Sequence, residues 1–179
     1  SHLEMGEHML CHEYFPNNNL GMTEELKSSL IAYYDFMTAY QNLLRDGGSF
    51  NNVTVTSADG AYAIKSWEPA TGNIITLAKQ VSDRQVIHFL NFLNADSTSW
   101  RDLKGTMPEP QTVSNFSVTV QIPDSRQVKS VWIASPDVDF GASRTLGFTQ
   151  SGQNLSVTIP SLEYWSMLVL EYTQDGSGL

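Results

Sequence analysis

A single cysteine in 179 residues, Cys11, leaves no partner for an internal disulfide and excludes a disulfide-stapled fold. Clustered cations are also missing. Lys and Arg number 10 against 19 Asp and Glu, the formal net charge is -9, and no basic run occurs anywhere. Nucleic-acid binding needs grouped Lys and Arg to neutralise phosphates, so that class is excluded. No apolar run approaches the ~20 residues of a membrane-crossing helix, and Met167-Leu168-Val169-Leu170 is only strand-sized. Charged residues make up 16%, below the usual quarter or so, while Ser, Thr, Asn and Gln are abundant. A polar but weakly charged surface suits secreted β proteins and handlers of neutral ligands, and a secreted location is expected. The first residues match neither a signal peptide nor a natural initiation site, which predicts a trimmed start.

What is present is a hydrophobic content of 41% and an aromatic content of 11%, enough for a real core in one domain, or in a domain plus a docking segment. The densest chemistry lies at the front. Residues 2–19 hold three histidines, three glutamates, Cys11 and Tyr14, and close on Pro16-Asn17-Asn18-Asn19, a turn signal. Glu4 and Glu7 flank the end of a short predicted strand at 3–5, where carboxylates can bind hydroxyls or move protons. His8 and His12, with Cys11, have the spacing of metal ligands on one helix face. The order His-Met-Leu-Cys-His lacks the glutamate of the helical zinc-protease motif, and structural zinc usually takes more than one cysteine. A buried Cys11 with histidines bonding within a loop is the better reading, and neither metal nor cofactor is expected.

One helix follows. Thr23 is its N-cap, and Glu24 and Glu25 place negative charge in its first turn. Leu26, Leu30, Tyr33, Tyr34, Met37, Tyr40, Gln41 and Leu44 repeat at three-and-four spacing, widened by Ile31, Phe36 and Leu43. Arg45 and Gly47-Gly48 end it. A stripe this broad exceeds what one sheet should cover, so Leu26, Leu30, Tyr33, Met37, Tyr40 and Leu44 are expected to pack on an upstream part of the same molecule.

Beyond Gly48 the period becomes that of strands. They are predicted at 53–56, 61–67, 73–81, 86–93, 116–122, 128–134, 144–149, 155–159 and 167–172, with an irregular connection at 94–111. Eight or nine short strands without an intervening helix argue for an antiparallel β-sandwich of Greek-key type. The chain therefore divides into strand–loop–helix over 1–48 and sandwich over 51–179. Trp67, Trp100, Trp132, Trp165, Tyr62, Tyr164 and Tyr172 could form a sugar-stacking platform, although sandwich tryptophans more often pack inside or on a neighbouring element. His88, in an apolar run, reads as a hydrogen-bonded core histidine.

The runs Gly6-Glu7-His8-Met9-Leu10-Cys11-His12-Glu13-Tyr14-Phe15-Pro16-Asn17 and Tyr33-Tyr34-Asp35-Phe36-Met37-Thr38-Ala39-Tyr40-Gln41-Asn42-Leu43-Leu44-Arg45-Asp46 resemble the family 66 glycoside hydrolases. So do Val86-Ile87-His88-Phe89-Leu90-Asn91-Phe92-Leu93-Asn94 and Trp132-Ile133-Ala134-Ser135-Pro136-Asp137. That family contains endo-dextranases and cycloisomaltooligosaccharide glucanotransferases, which act on α-1,6-glucan. The resemblance implies that 1–48 close a (β/α)8 barrel and that the rest is the β-domain behind it. It also implies a retaining mechanism with an aspartate nucleophile and a glutamate acid/base on earlier strands. No residue here matches either motif. Glu4, Glu7, His12, Glu13 and Tyr14 are then expected only to line the substrate pocket, and this chain alone to be inactive. The glucanotransferases carry an insertion in the barrel, and residues 1–4 would suit the point where the barrel resumes. The competing expectation is a non-catalytic carbohydrate-binding or interaction module.

Overall fold

The computed structural model describes residues 21–99, 102, 105–123 and 126–173. The predicted strand at 3–5, the Pro16–Asn19 turn and Trp100 lie outside them.

Helix α1 (Glu24–Ala39) begins as its sequence demands. The Thr23 hydroxyl accepts the Leu26 N–H at 3.1 Å, meeting one of the donors a helix start leaves unpaired. The predicted single helix is in fact two. It breaks at Tyr40, and a short α2 (Gln41–Leu44) follows. The break falls where the Tyr40 hydroxyl donates to the Gly141 carbonyl at 2.8 Å, tying the helix end to a distant loop. Gly47 and Gly48 then turn the chain with φ of 66° and 71°. At Gly48 a side chain would also overlap the Gln80 carbonyl oxygen, so glycine answers both backbone conformation and close approach.

Among the described residues eleven strands follow, in two sheets. The larger sheet holds β1 (Ser49–Asn51), β3 (Ile64–Ser66), β4 (Ile74–Val81), β5 (Arg84–Asn91), β7 (Val128–Ala134), β8 (Arg144–Thr145) and β11 (Trp165–Tyr172). Its order is β1-β4-β5-β11-β7-β8, with β3 paired to β4. The smaller sheet is β2-β6-β10-β9, built from β2 (Val55–Ser57), β6 (Val113–Gln121), β9 (Phe148–Ser151) and β10 (Asn154–Leu162). The irregular stretch before β6 matches expectation.

Three details differ from the predicted layout. β1 is too short and polar to show in the pattern. The pairing of β3 with β4 is parallel, with Ile64 opposite Ile74 and Ser66 opposite Thr76, so residues 67–73 bring the chain back to the end where β3 began. The predicted strand at 144–149 divides at Leu146-Gly147, so β8 joins one sheet and β9 the other.

The main core lies between the sheets. Ile74, Ala78, Ile87, Phe89, Leu168 and Leu170 face Phe116, Val118, Val120, Leu155, Val157 and Ile159. A second apolar cluster forms on the outer side of the larger sheet. Val86, Ala134, Met167 and Val169 there meet Phe36, Leu43 and Leu44 from the helices. The larger sheet is thus buried on both faces, which is why β5 and β11 read as continuous apolar runs while β6 and β10 alternate.

Candidate functional site

The helix seat on the larger sheet is made of aromatic rings. Phe36 meets Trp165 edge-on at 4.8 Å between centroids and Tyr40 at 4.9 Å, and Tyr40 in turn packs on Trp132 at 5.8 Å. Each indole N–H has a partner, as a half-buried tryptophan requires. Trp165 Nε1 donates to His88 Nδ1 at 3.0 Å, and Trp132 Nε1 to Glu171 Oε1 at 3.3 Å. Accepting at Nδ1 leaves the His88 proton on Nε2, so the imidazole is neutral. Burial, reinforced by the nearby Lys79 ammonium, pushes its pKa down to about 4. His88 is thus the satisfied core histidine its sequence context predicts. Glu171 also accepts from Ser130 Oγ and pairs with Arg84, and these bonds hold its carboxyl below the usual range.

Four of the six side chains expected to meet an upstream segment face this sheet instead. Tyr33 and Tyr40 bond to sandwich loops, Met37 packs on the outer cluster, and Leu44 is buried with its carbonyl accepting from Lys79 Nζ at 3.3 Å. The sheet offers an apolar outer face of its own, and that is the nearest surface able to cover them. Leu26 and Leu30 are half-buried, and Ile31 stays 58% exposed.

Asp137 ties the seam together. Its Oδ1 accepts the Tyr33 hydroxyl at 2.6 Å, and its Oδ2 accepts the Tyr164 and Trp165 amides at 3.0 and 2.9 Å. Burial and this bond to a carboxylate raise the Tyr33 phenol far above its usual pKa. Asp137→Ala should leave these donors unpaired and cost about 2 kcal/mol, read by chemical denaturation. Tyr33→Phe should cost less, because it removes one donor and strands none. Equal losses for the two variants would show that Asp137 does not organise the seam.

Beside this bond lies an open cleft of about 500 Å³, walled by Ser28, Ser29, Ala32 and Tyr33 on the helix and by the 136–140 and 163–164 loops. A second cleft, of about 370 Å³, meets it at Tyr33 and Tyr164 and runs over Phe92, Met107, Pro108 and Trp165. Burial, then Asp137 and Glu109, raise the pKa of the Glu163 carboxyl on the first cleft's wall.

Glu4, Glu7, His12, Glu13 and Tyr14, like His8 and Cys11, lie outside the described residues. Of the aromatic residues proposed as a platform, Trp132 and Trp165 form the helix seat. Tyr172 is in the core, and Tyr62 packs on Phe116. Trp67 and Tyr164 are exposed, at 53% and 51%. Phe140, 76% exposed on the cleft rim, was not singled out by the sequence. Its only signal is an aromatic residue in a Pro-to-Gly loop outside any strand pattern.

Two packed, mainly antiparallel sheets with a helix seated on the outer face of the larger one define a β-sandwich domain. More particularly, the chain belongs to glycosyl hydrolase family 66, whose model matches residues 1–169. It is 37% and 32% identical to two cycloisomaltooligosaccharide glucanotransferases of Niallia circulans, over 96% and 97% of this chain. It is 25% identical to a dextranase of Streptococcus salivarius over 88% of its length. The chain spans only 18% to 21% of these relatives. The crystal structure of a Paenibacillus sp. cycloisomaltooligosaccharide glucanotransferase complexed with cycloisomaltoheptaose matches with a TM-score of 0.75 and 30% identity. That match covers 90% of this chain and 23% of the other.

Proposed function

We infer that this chain is the C-terminal part of a retaining glycosidase or transglycosylase that works on α-1,6-glucan outside the cell. In this reading residues 1–48 complete a (β/α)8 catalytic barrel, and residues 51–179 form the sandwich behind it. The observation that carries it is the family match across nearly the whole chain, joined by relatives that are a glucanotransferase or a dextranase. Higher identity to the glucanotransferases than to the dextranase favours the cyclising branch.

The catalytic aspartate and glutamate lie upstream, and the chain alone is inactive. Glu4, Glu7, His12, Glu13 and Tyr14 line the substrate pocket and hydrogen-bond sugar hydroxyls. The upstream carboxylate displaces the glycosidic oxygen to form a glucosyl-enzyme, and either water or the glucan's own far hydroxyl then resolves it. Leu26, Leu30 and Ile31, the flank of α1 turned from the sheet, carry the rest of the barrel.

The test joins this chain to the upstream remainder and analyses its products from dextran by mass spectrometry. Cyclic oligosaccharides, each lighter than the linear form by one water, are expected. Linear products alone would assign a dextranase, and no product would overturn the reading.

A further inference from the structure

The exposed rings beside the Tyr33–Asp137 bond stand on an unusually strained support. Asp139, Phe140 and Gly141 are consecutive left-handed residues, with φ of 47°, 52° and 82°. Side-chain-bearing residues rarely adopt this conformation, and it persists only where the surroundings enforce it. They do so here. The Tyr40 hydroxyl holds the Gly141 carbonyl, and a Cβ at Gly141 would come within 2.9 Å of Phe36 Cδ2, so the loop is pressed against the helix. The outcome of this strain is a phenylalanine held out in solvent on a cleft rim, a position that packing does not explain.

Tyr164, half exposed, lines the same cleft where it meets the second. Its backbone is fixed by Asp137. The same cleft is lined by Asp139 and Glu163, neither of whose carboxylates has a hydrogen-bond or ion-pair partner among the described residues. Among the described residues no lysine or arginine lines either cleft. This described lining favours a neutral ligand over an anionic one. Flat apolar rings and free acceptors in one cleft match a ligand whose C–H faces can stack while its hydroxyls donate.

We propose that the paired clefts at the helix–sandwich seam form an accessory binding site for a neutral glucan chain, with Phe140 and Tyr164 as stacking rings and Asp139 and Glu163 as hydroxyl acceptors. The choice of an α-1,6-glucan rests on the functional reading above; the site itself does not. Placed on the sandwich, it would hold polymer near the barrel without taking part in bond cleavage.

The test is affinity electrophoresis of the 179-residue chain through gels containing dextran, with pullulan and amylose gels run in parallel. Dextran should retard the chain, and Tyr164→Ala or Phe140→Gly should each weaken the apparent affinity by roughly fivefold, the worth of one stacked ring. Phe140→Gly separates binding from folding, since glycine relieves the left-handed backbone: its Tm should hold or rise while its retardation falls. Retardation by pullulan or amylose but not dextran, lost in both variants, would keep the site and overturn the α-1,6 assignment. No retardation in any gel, or equal retardation of wild type and variants, would overturn the site. In that last case the dextran product assay on the joined enzyme would still decide the catalytic reading separately.

Discussion

Phe36→Ala is expected to cost about 4 kcal/mol and to free the helix while the sandwich stays folded. The Phe36 side chain is 1% exposed and sits at the centre of the outer cluster, between Trp165, Tyr40 and the Gly141 loop. Truncation removes its burial, leaves a cavity that the bonded Trp165 indole and Tyr40 ring cannot fill, and deletes two ring pairs worth about 1 kcal/mol each. The inter-sheet core shares no buried residue with this cluster. The loss should therefore be local rather than global. Hydrogen exchange is the measurement: amides of α1 should exchange far faster, while those of β5, β6 and β10 keep their protection. Uniform acceleration across both would mean that helix and sandwich form one cooperative unit.

Mild acid should have the next largest effect, through His88. The folded-state pKa is pushed down to about 4 from an ordinary 6.5, so between these values the unfolded chain binds a proton that the folded chain refuses. Stability is then fully present above about pH 6.5 and falls as pH drops, by up to ~1.4 kcal/mol per pH unit. The loss levels off near pH 4, at about 3 kcal/mol in total. Protonation would place a hydrogen on Nδ1 opposite the Trp165 indole N–H, and the helix seat would lose its acceptor. Carboxylates with lowered pKa values, such as Glu171 and Asp59, lose their contribution only at lower pH. Denaturation midpoints from pH 7 to pH 4.5 check this. His88→Gln, which keeps an acceptor without the titration, should flatten the slope. An unchanged slope would assign it to other groups.

Much of the architecture was legible because it is local. The N-cap at Thr23 works through a bond three residues long. Alternation in β6 and β10 follows from one wet face and one dry face. His88 could be placed in the core because an isolated imidazole in an apolar run must be buried and paired. The continuous apolar runs at 86–93 and 167–170 also carried the signal of a sheet covered on both sides. That signal identifies which sheet the helix lies on, and it went unread because each run by itself is merely strand-sized.

The cleft was not legible. Ser28 to Tyr33, Asp137 to Phe140 and Glu163 to Tyr164 are three stretches far apart along the chain, and no spacing rule joins them. Nor does the sequence tell that Phe140 takes a left-handed backbone, since that conformation is imposed by Phe36 and Tyr40 from another element.

By itself, then, the sequence determined the class of the molecule, its helix start, its strand rhythm, its lack of an internal disulfide and its family likeness, because capping, periodicity and motif all act over a few residues. Tertiary structure alone decided that Tyr33, Met37, Tyr40 and Leu44 turn onto the chain's own sheet, and that Asp137 bonds a helix hydroxyl rather than solvent. It also decided that Phe140 and Tyr164 line one cleft. These outcomes depend on which apolar surface is nearest once the sheets have formed, and no short-range pattern encodes that.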